Sequence, residues 1–162
     1  MRLRVHPGGA VVLTVPLGSQ SNAIQAFLQR QTDWLRRAVA RMMQYEALPV
    51  SGRRDYLKYK EGARAFIQER VAFWNEQYRF PYNRIAIKNT RRTWGSCSKK
   101  GNLNFSYVLL FLPQELADYV VVHELCHLKH PNHSKAFWAE VARTIPDHKK
   151  RRAELRRYLP RN

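Results

Sequence analysis

Residues 123–133 read HELCHLKHPNH, and their types and spacing fit metal-assisted hydrolysis. On an α-helix, His123 and His127 lie one turn apart on one face, so both imidazoles can reach a single ion while Glu124, about 100° further round, flanks it. Two imidazole ligands and a carboxylate able to take a proton from water make up the HExxH pattern. A third imidazole follows. The ring of Pro131 disfavours helical geometry at His130 and removes a backbone donor, so the chain is expected to turn at 130–132 and bring His133 back towards the ion. Three protein ligands and one open position describe a catalytic Zn2+, whereas a structural zinc is closed by four ligands, commonly several cysteines. This sequence has Cys97 and Cys126 and no CxxC.

Two residues compete with His133. His130 lies seven residues after His123 and would share its face if the helix continued, but three ligands in line along one helix converge poorly on a tetrahedral ion. Glu140, on the next helix, is the other competitor; it reads more simply as an exposed carboxylate on an amphipathic helix. The expected set is therefore His123, His127 and His133 as metal ligands with Glu124 as the catalytic base.

The helix carrying them has to be buried. In PQELADYVVVHELCHL, with Pro113 expected as the first helical residue, Leu116, Val120, His123 and His127 form one stripe. Val121, Val122, Leu125 and Leu128 make the other sides apolar as well. Two unpaired histidines and a glutamate in such surroundings would be costly to desolvate, and a bound cation removes that cost.

The remaining segments give an α+β reading. Leu3, Val5, Val11, Leu13 and Val15 alternate around PGG as a hairpin, and a helix capped by Ser21 or Asn22 is predicted to run to about Gln44. LPVSGRR is the candidate linker. A second amphipathic helix carries Tyr59, Ala63, Phe66, Ile67, Val71, Trp74 and Tyr78. Ile85 and Ile87 alternate in a strand, and TWGSCS and NLNFS flank KKG as a hairpin ahead of the metal helix, where an exposed edge could hold an extended peptide. Ser134 is expected to cap a helix bearing Phe137, Trp138 and Val141, and Pro146 separates it from a basic terminal helix. Residues 1–50 form a hairpin-and-helix appendage in this reading, and residues 51–162 the catalytic domain, a small sheet packed on the HExxH helix.

Charge and composition bound the partners. The 162 residues can bury one substantial core. Lys and Arg number 29 against 12 Asp and Glu, a formal net charge of +17, which favours nucleic acid, nucleoprotein or acidic protein partners. Paired arginines recur at 36–37, 53–54, 91–92, 151–152 and 156–157. The start MRLRVHPGG lacks the apolar core of a signal peptide and no run reaches the roughly 18 apolar residues of a membrane span, so a cytoplasmic protein with reduced thiols and no membrane partner is expected. Cys126 reads as core, whereas Cys97 could lie close to the metal.

RRTWGSCSKKGNLNFSYVLLFLP followed by DYVVVHELCHLKHPNHSKAFW resembles the YgjP-like metallopeptidase family, which is related to the SprT-like and WLM proteases. The similarity runs along the whole chain and is most specific from Thr93 to Trp138. It implies a zincin-like core, with His123, His127 and His133 matching the metal histidines, Glu124 the catalytic glutamate, and Trp94, Gly95 and Cys97 a WGSC signature. Metzincins differ, having a glycine where His130 stands and a later Met-turn, while Met1, Met42 and Met43 all precede the motif. Related SprT-like proteases act on DNA-bound proteins, which suits the basic charge.

The expected function is a zinc-dependent metallopeptidase acting on polypeptides, with nucleic-acid-associated proteins among its substrates. Arg92, His148 and Tyr158 are candidates for stabilising the oxyanion. Two alternatives stand beside it: a nucleoside triphosphate pyrophosphatase of UTP type, a label that some YgjP-like proteins carry, and a nucleic-acid-binding module with a vestigial metal site.

Overall fold

A computed structural model describes residues 1–50, 52–90 and 93–158. It separates into two compact units, one of Met1–Ala47 with the residues from Arg156 on, the other Leu48–Leu155. The arginine pair at 91–92 and the chain's last four residues lie outside the described residues.

In the first unit, β1 (Arg2–Val5) and β2 (Val11–Thr14) pair antiparallel with Leu3 opposite Leu13 and Val5 opposite Val11, as their alternation predicts. The turn uses Gly8 and Gly9 at φ of 80° and 82°, left-handed conformations that side chains rarely adopt. The helix expected to run unbroken to about Gln44 is two helices, α1 (Ser21–Arg30) and α2 (Thr32–Met42). Gln31 interrupts them at φ −99°, ψ 2°, its N–H shared between the carbonyls of Phe27 and Leu28, and the Thr32 hydroxyl donates back to the Leu28 carbonyl. That side-chain bond competes with the helical ladder, at a place where the apolar stripe itself is occupied by a glutamine. The cap position is also displaced: Gln20 is the N-cap of α1, so Ser21 is already helical and Asn22 accepts from Ala23 N–H, its neighbour in sequence.

The second unit starts with α3 (Arg53–Tyr78), whose buried residues Ala63, Ile67, Arg70, Val71 and Tyr78 follow helical spacing. It stops at Arg79 in a left-handed cap. Strands β3 (Arg84–Lys88), β4 (Gly95–Cys97) and β5 (Asn102–Ser106) then form a sheet of order β3-β5-β4. The β4–β5 hairpin is antiparallel and β3 joins β5 in parallel, which leaves β4 on an edge. Leu103 and Phe105 point into the core, and Asn102 and Asn104 to the other face.

A 3-10 turn, Tyr107–Phe111, capped by Ser106, leads into α4 (Gln114–Cys126). Pro113 is the N-cap of α4 with extended ψ of 133°, rather than its first helical residue. Every residue of α4 from Leu116 to Val122 is buried, as are Glu124, Leu125 and Cys126. Arg70 of α3 holds Asp118 of α4 with two hydrogen bonds of 2.6 and 2.9 Å, a buried bidentate pair that fixes the helix against its neighbour. After α4 come α5 (Lys135–Thr144) and α6 (His148–Leu155). Tyr78 O–H donates to the Glu140 carbonyl at 3.1 Å and so ties α3 to α5. No helix among the described residues is long and apolar enough to cross a membrane.

Candidate metal centre

The regular helix ends at Cys126, and His127 follows as its C-cap with φ −68° and ψ −18°, still close enough to helical geometry to stand one turn beyond His123. Bonds from Leu128 N–H to the Leu125 carbonyl and from Lys129 N–H to the Cys126 carbonyl tighten the last turn. The chain then turns through Pro131, and Ser134 caps α5 by accepting from Phe137 N–H. This reversal brings His133 back. Its Nε2 lies 3.0 Å from His123 Nε2, which is 3.2 Å from His127 Nε2. One ring nitrogen from each of the three lies within 4.8 Å of the others, so the group could hold a metal ion.

The observed donors fit such an ion. Ligand nitrogens about 2.0–2.1 Å from a tetrahedral centre are separated by about 3.3 Å, close to the two spacings seen. His127 Nδ1 lies 3.0 Å from the His130 carbonyl. A carbonyl only accepts, so Nδ1 carries a hydrogen, as in the tautomer whose Nε2 lone pair is free for a metal. His130 thus contributes its backbone, while its ring faces Glu140 at 3.6 Å. Glu140 is held by Lys129 at 2.9 Å and Arg143 at 3.1 Å. The Lys129 hydrogen bond is the main cause keeping its carboxyl below the usual range. Neither His130's ring nor Glu140 joins the three imidazoles.

Phe137 is the floor of the cluster. Fully buried, it lies 4.9, 4.5 and 4.9 Å between ring centroids from His123, His127 and His133. Trp138 stacks on His133 at 5.5 Å with the planes 20° apart. Burial, followed by the neighbouring His127 and His133, pushes His123 down to about 3, so its ring stays neutral, the form that binds metal. His123 Nδ1 is buried with no hydrogen-bond partner among the described residues.

Glu124 is 5% exposed and burial raises its pKa to about 8, a strong proton affinity for a carboxylate. Its Oε2 has no partner among the described residues. The strand β4 packs directly on it: a Cβ on Gly95 would stand 2.7 Å from Glu124 Cγ and 2.8 Å from Oε1. The glycine of WGSC therefore leaves room for the glutamate, a relation that sequence spacing does not disclose. Cys97, two residues on, is half-buried, and its thiol is pushed up by burial and by the Glu124 charge. Cys126 is core, raised by burial to about 12.

Of the oxyanion candidates, His148 is buried, stacks on Trp138 at 5.5 Å and turns Nδ1 to the Ile145 carbonyl, which makes it a packing residue. Arg92 lies outside the described residues, and Tyr158 belongs to the first unit.

The family description "YgjP-like, metallopeptidase domain" matches residues 53–158. The chain belongs to the YgjP-like family. Membership makes it a metallopeptidase, a peptide-bond hydrolase that works with a metal ion on polypeptide substrates. The metallopeptidase zymogen abylysin of Pyrococcus abyssi is similar in fold, with a TM-score of 0.52 and 22% identity over 58% of this chain and 99% of that one. The metallopeptidase zymogen jannalysin of Methanocaldococcus jannaschii aligns with a TM-score of 0.49 and 22% identity, over 55% of this chain and 92% of that one. No curated protein matches the sequence.

Proposed function

We propose that this metallopeptidase is a zinc enzyme in which His123, His127 and His133 hold the ion and Glu124 is the general base. The observation that carries the reading is the approach of three imidazole nitrogens beside a buried glutamate whose Oε2 has no partner among the described residues. Three imidazole nitrogen donors without a thiolate suit a catalytic zinc, which when bound supplies Lewis acidity to water and to the substrate carbonyl. Glu124 takes the proton of the attacking water and returns it to the leaving amine, a role that fits its raised proton affinity.

The edge strand orients the peptide. Ser106 N–H donates to the Trp94 carbonyl and Ser98 N–H to the Asn102 carbonyl, so in this register Gly95 and Cys97 turn their backbone groups to the free edge. An extended peptide pairing there runs alongside the strand that packs on Glu124. The net charge of +17 directs the enzyme to substrates associated with nucleic acid. Nothing favours the pyrophosphatase reading: among the described residues the histidines form the one group of metal-ligating side chains found, with no carboxylate cluster of the kind magnesium prefers.

Metal analysis of the purified chain combined with a peptide and nucleotide hydrolysis screen tests this reading. About one zinc per chain and peptide cleavage abolished by chelation are expected. Nucleotide hydrolysis without peptide cleavage would overturn it.

A further inference from the structure

Beside the histidine cluster stands a cation that the proposed hydrolysis does not use. Arg152 lays its guanidinium over the indole of Trp138, 5.1 Å from the ring centroid. The same indole stacks on His133 and lies 5.9 Å from the His123 ring. One aromatic ring thus links the guanidinium to two of the three imidazoles. His148, one helical turn earlier on α6, also stacks on Trp138, so α6 is docked on the indole at two points and the position of Arg152 is defined.

Its neighbour provides the contrast. Arg151 is spent on structure, donating from Nε to both Asp147 oxygens and from Nη1 to the Glu115 carbonyl. Arg152 is exposed and enters no ion pair among the described residues. A guanidinium held over an aromatic face loses little freedom when it takes a bidentate anion.

We propose that Arg152 is a specificity-determining residue that binds a carboxylate of the peptide substrate, so that the enzyme favours peptides with an acidic side chain or a C-terminal carboxylate close to the scissile bond. This inference rests on the metallopeptidase reading and names its substrate class. The exposed Lys149 and Lys150 on the same helix add to the field that draws such peptides in.

The test uses the full-length, zinc-loaded chain. A peptide-library digest locates preferred cleavage sites, and matched peptides then compare Glu with Gln beside the scissile bond and a C-terminal acid with its amide. The wild type is expected to prefer the carboxylate form by about tenfold in kcat/KM, the value of one charge-assisted hydrogen bond. The arm that shows the preference identifies which carboxylate is read. In Arg152→Gln the ratio falls towards one, Arg152→Lys keeps part of it, and Arg152→Glu inverts it in favour of a lysine peptide. Binding of the same pairs to a Glu124→Gln protein, followed by calorimetry, measures the preference without turnover. If no peptide is cleaved yet the binding ratio holds and depends on Arg152, the hydrolysis reading fails and this one stands. Equal handling of both members of each pair by the wild type, or a ratio that Arg152→Gln leaves unchanged, overturns it.

Discussion

A buried carboxylate is expensive to ionise, and Glu124 accepts that cost with its Oε2 lacking a partner among the described residues, in a helix whose buried positions are mostly apolar. Replacing it by Gln keeps the shape and removes the base; metal content should be retained while peptide hydrolysis falls roughly 10²- to 10⁴-fold. The same substitution has a consequence for stability. Because the folded state raises the Glu124 pKa from 4.5 to about 8, it holds the proton more tightly than the unfolded chain does. The associated stability is present below about pH 4.5 and is lost as pH rises towards 8. In chelator-treated protein, thermal unfolding at pH 5 and pH 8 should therefore show Glu124→Gln gaining on the wild type at the higher pH. A wild type that loses nothing relative to the variant would mean that Glu124 ionises freely. At the same scale, His133→Ala should weaken zinc binding far more than His130→Ala, since the His130 ring faces Glu140. Zinc titration gives the ranking.

Two elements decide whether those residues work together. The tightened turn after α4 and the serine-capped start of α5 deliver His133 and Phe137 to the same place, and the edge strand β4 closes over Glu124 at Gly95. A Cβ at position 95 would meet a buried side chain that has core residues on either side in α4, so Glu124 would have to move. Gly95→Ala is expected to lower kcat by up to about 10²-fold, the effect of misplacing a reacting group by an ångström, with zinc content little changed. A variant with wild-type turnover would show that β4 does not constrain the base.

At the scale of the whole molecule the dominant fact is the charge of +17. Much of it is not neutralised locally: Arg36, Arg37 and Arg41 of α2 are exposed, and none enters an ion pair among the described residues. If the basic surface serves nucleic acid, affinity for DNA or RNA should fall linearly with salt on logarithmic axes as counterions are released. Changing these three arginines to glutamine should flatten that slope by about 0.9 for each phosphate that is no longer neutralised, leaving zinc content and peptide cleavage as they were. No binding at low salt would leave the charge as a solubility feature or a guide to acidic protein substrates.

Local patterns in the chain determined the features that depend on near neighbours. The spacing of His123 and His127, the apolar composition that buries α4, the reversal at Pro131 and the hairpins around PGG and KKG were all legible, because each follows from backbone geometry within a few residues. Sequence periodicity also ran one helix through Gln31, where a hydroxyl back-bond from Thr32 breaks it. What only the tertiary structure decided is the set of long-range approaches. The parallel pairing of β3 with β5, the Arg70–Asp118 clamp, Gly95 against Glu124, Phe137 beneath three imidazoles and Arg152 on Trp138 join residues from different elements. Periodicity says which face of an element is buried, but which neighbour meets that face is settled by packing of the whole core, where volume and partnered polar groups must be satisfied at once.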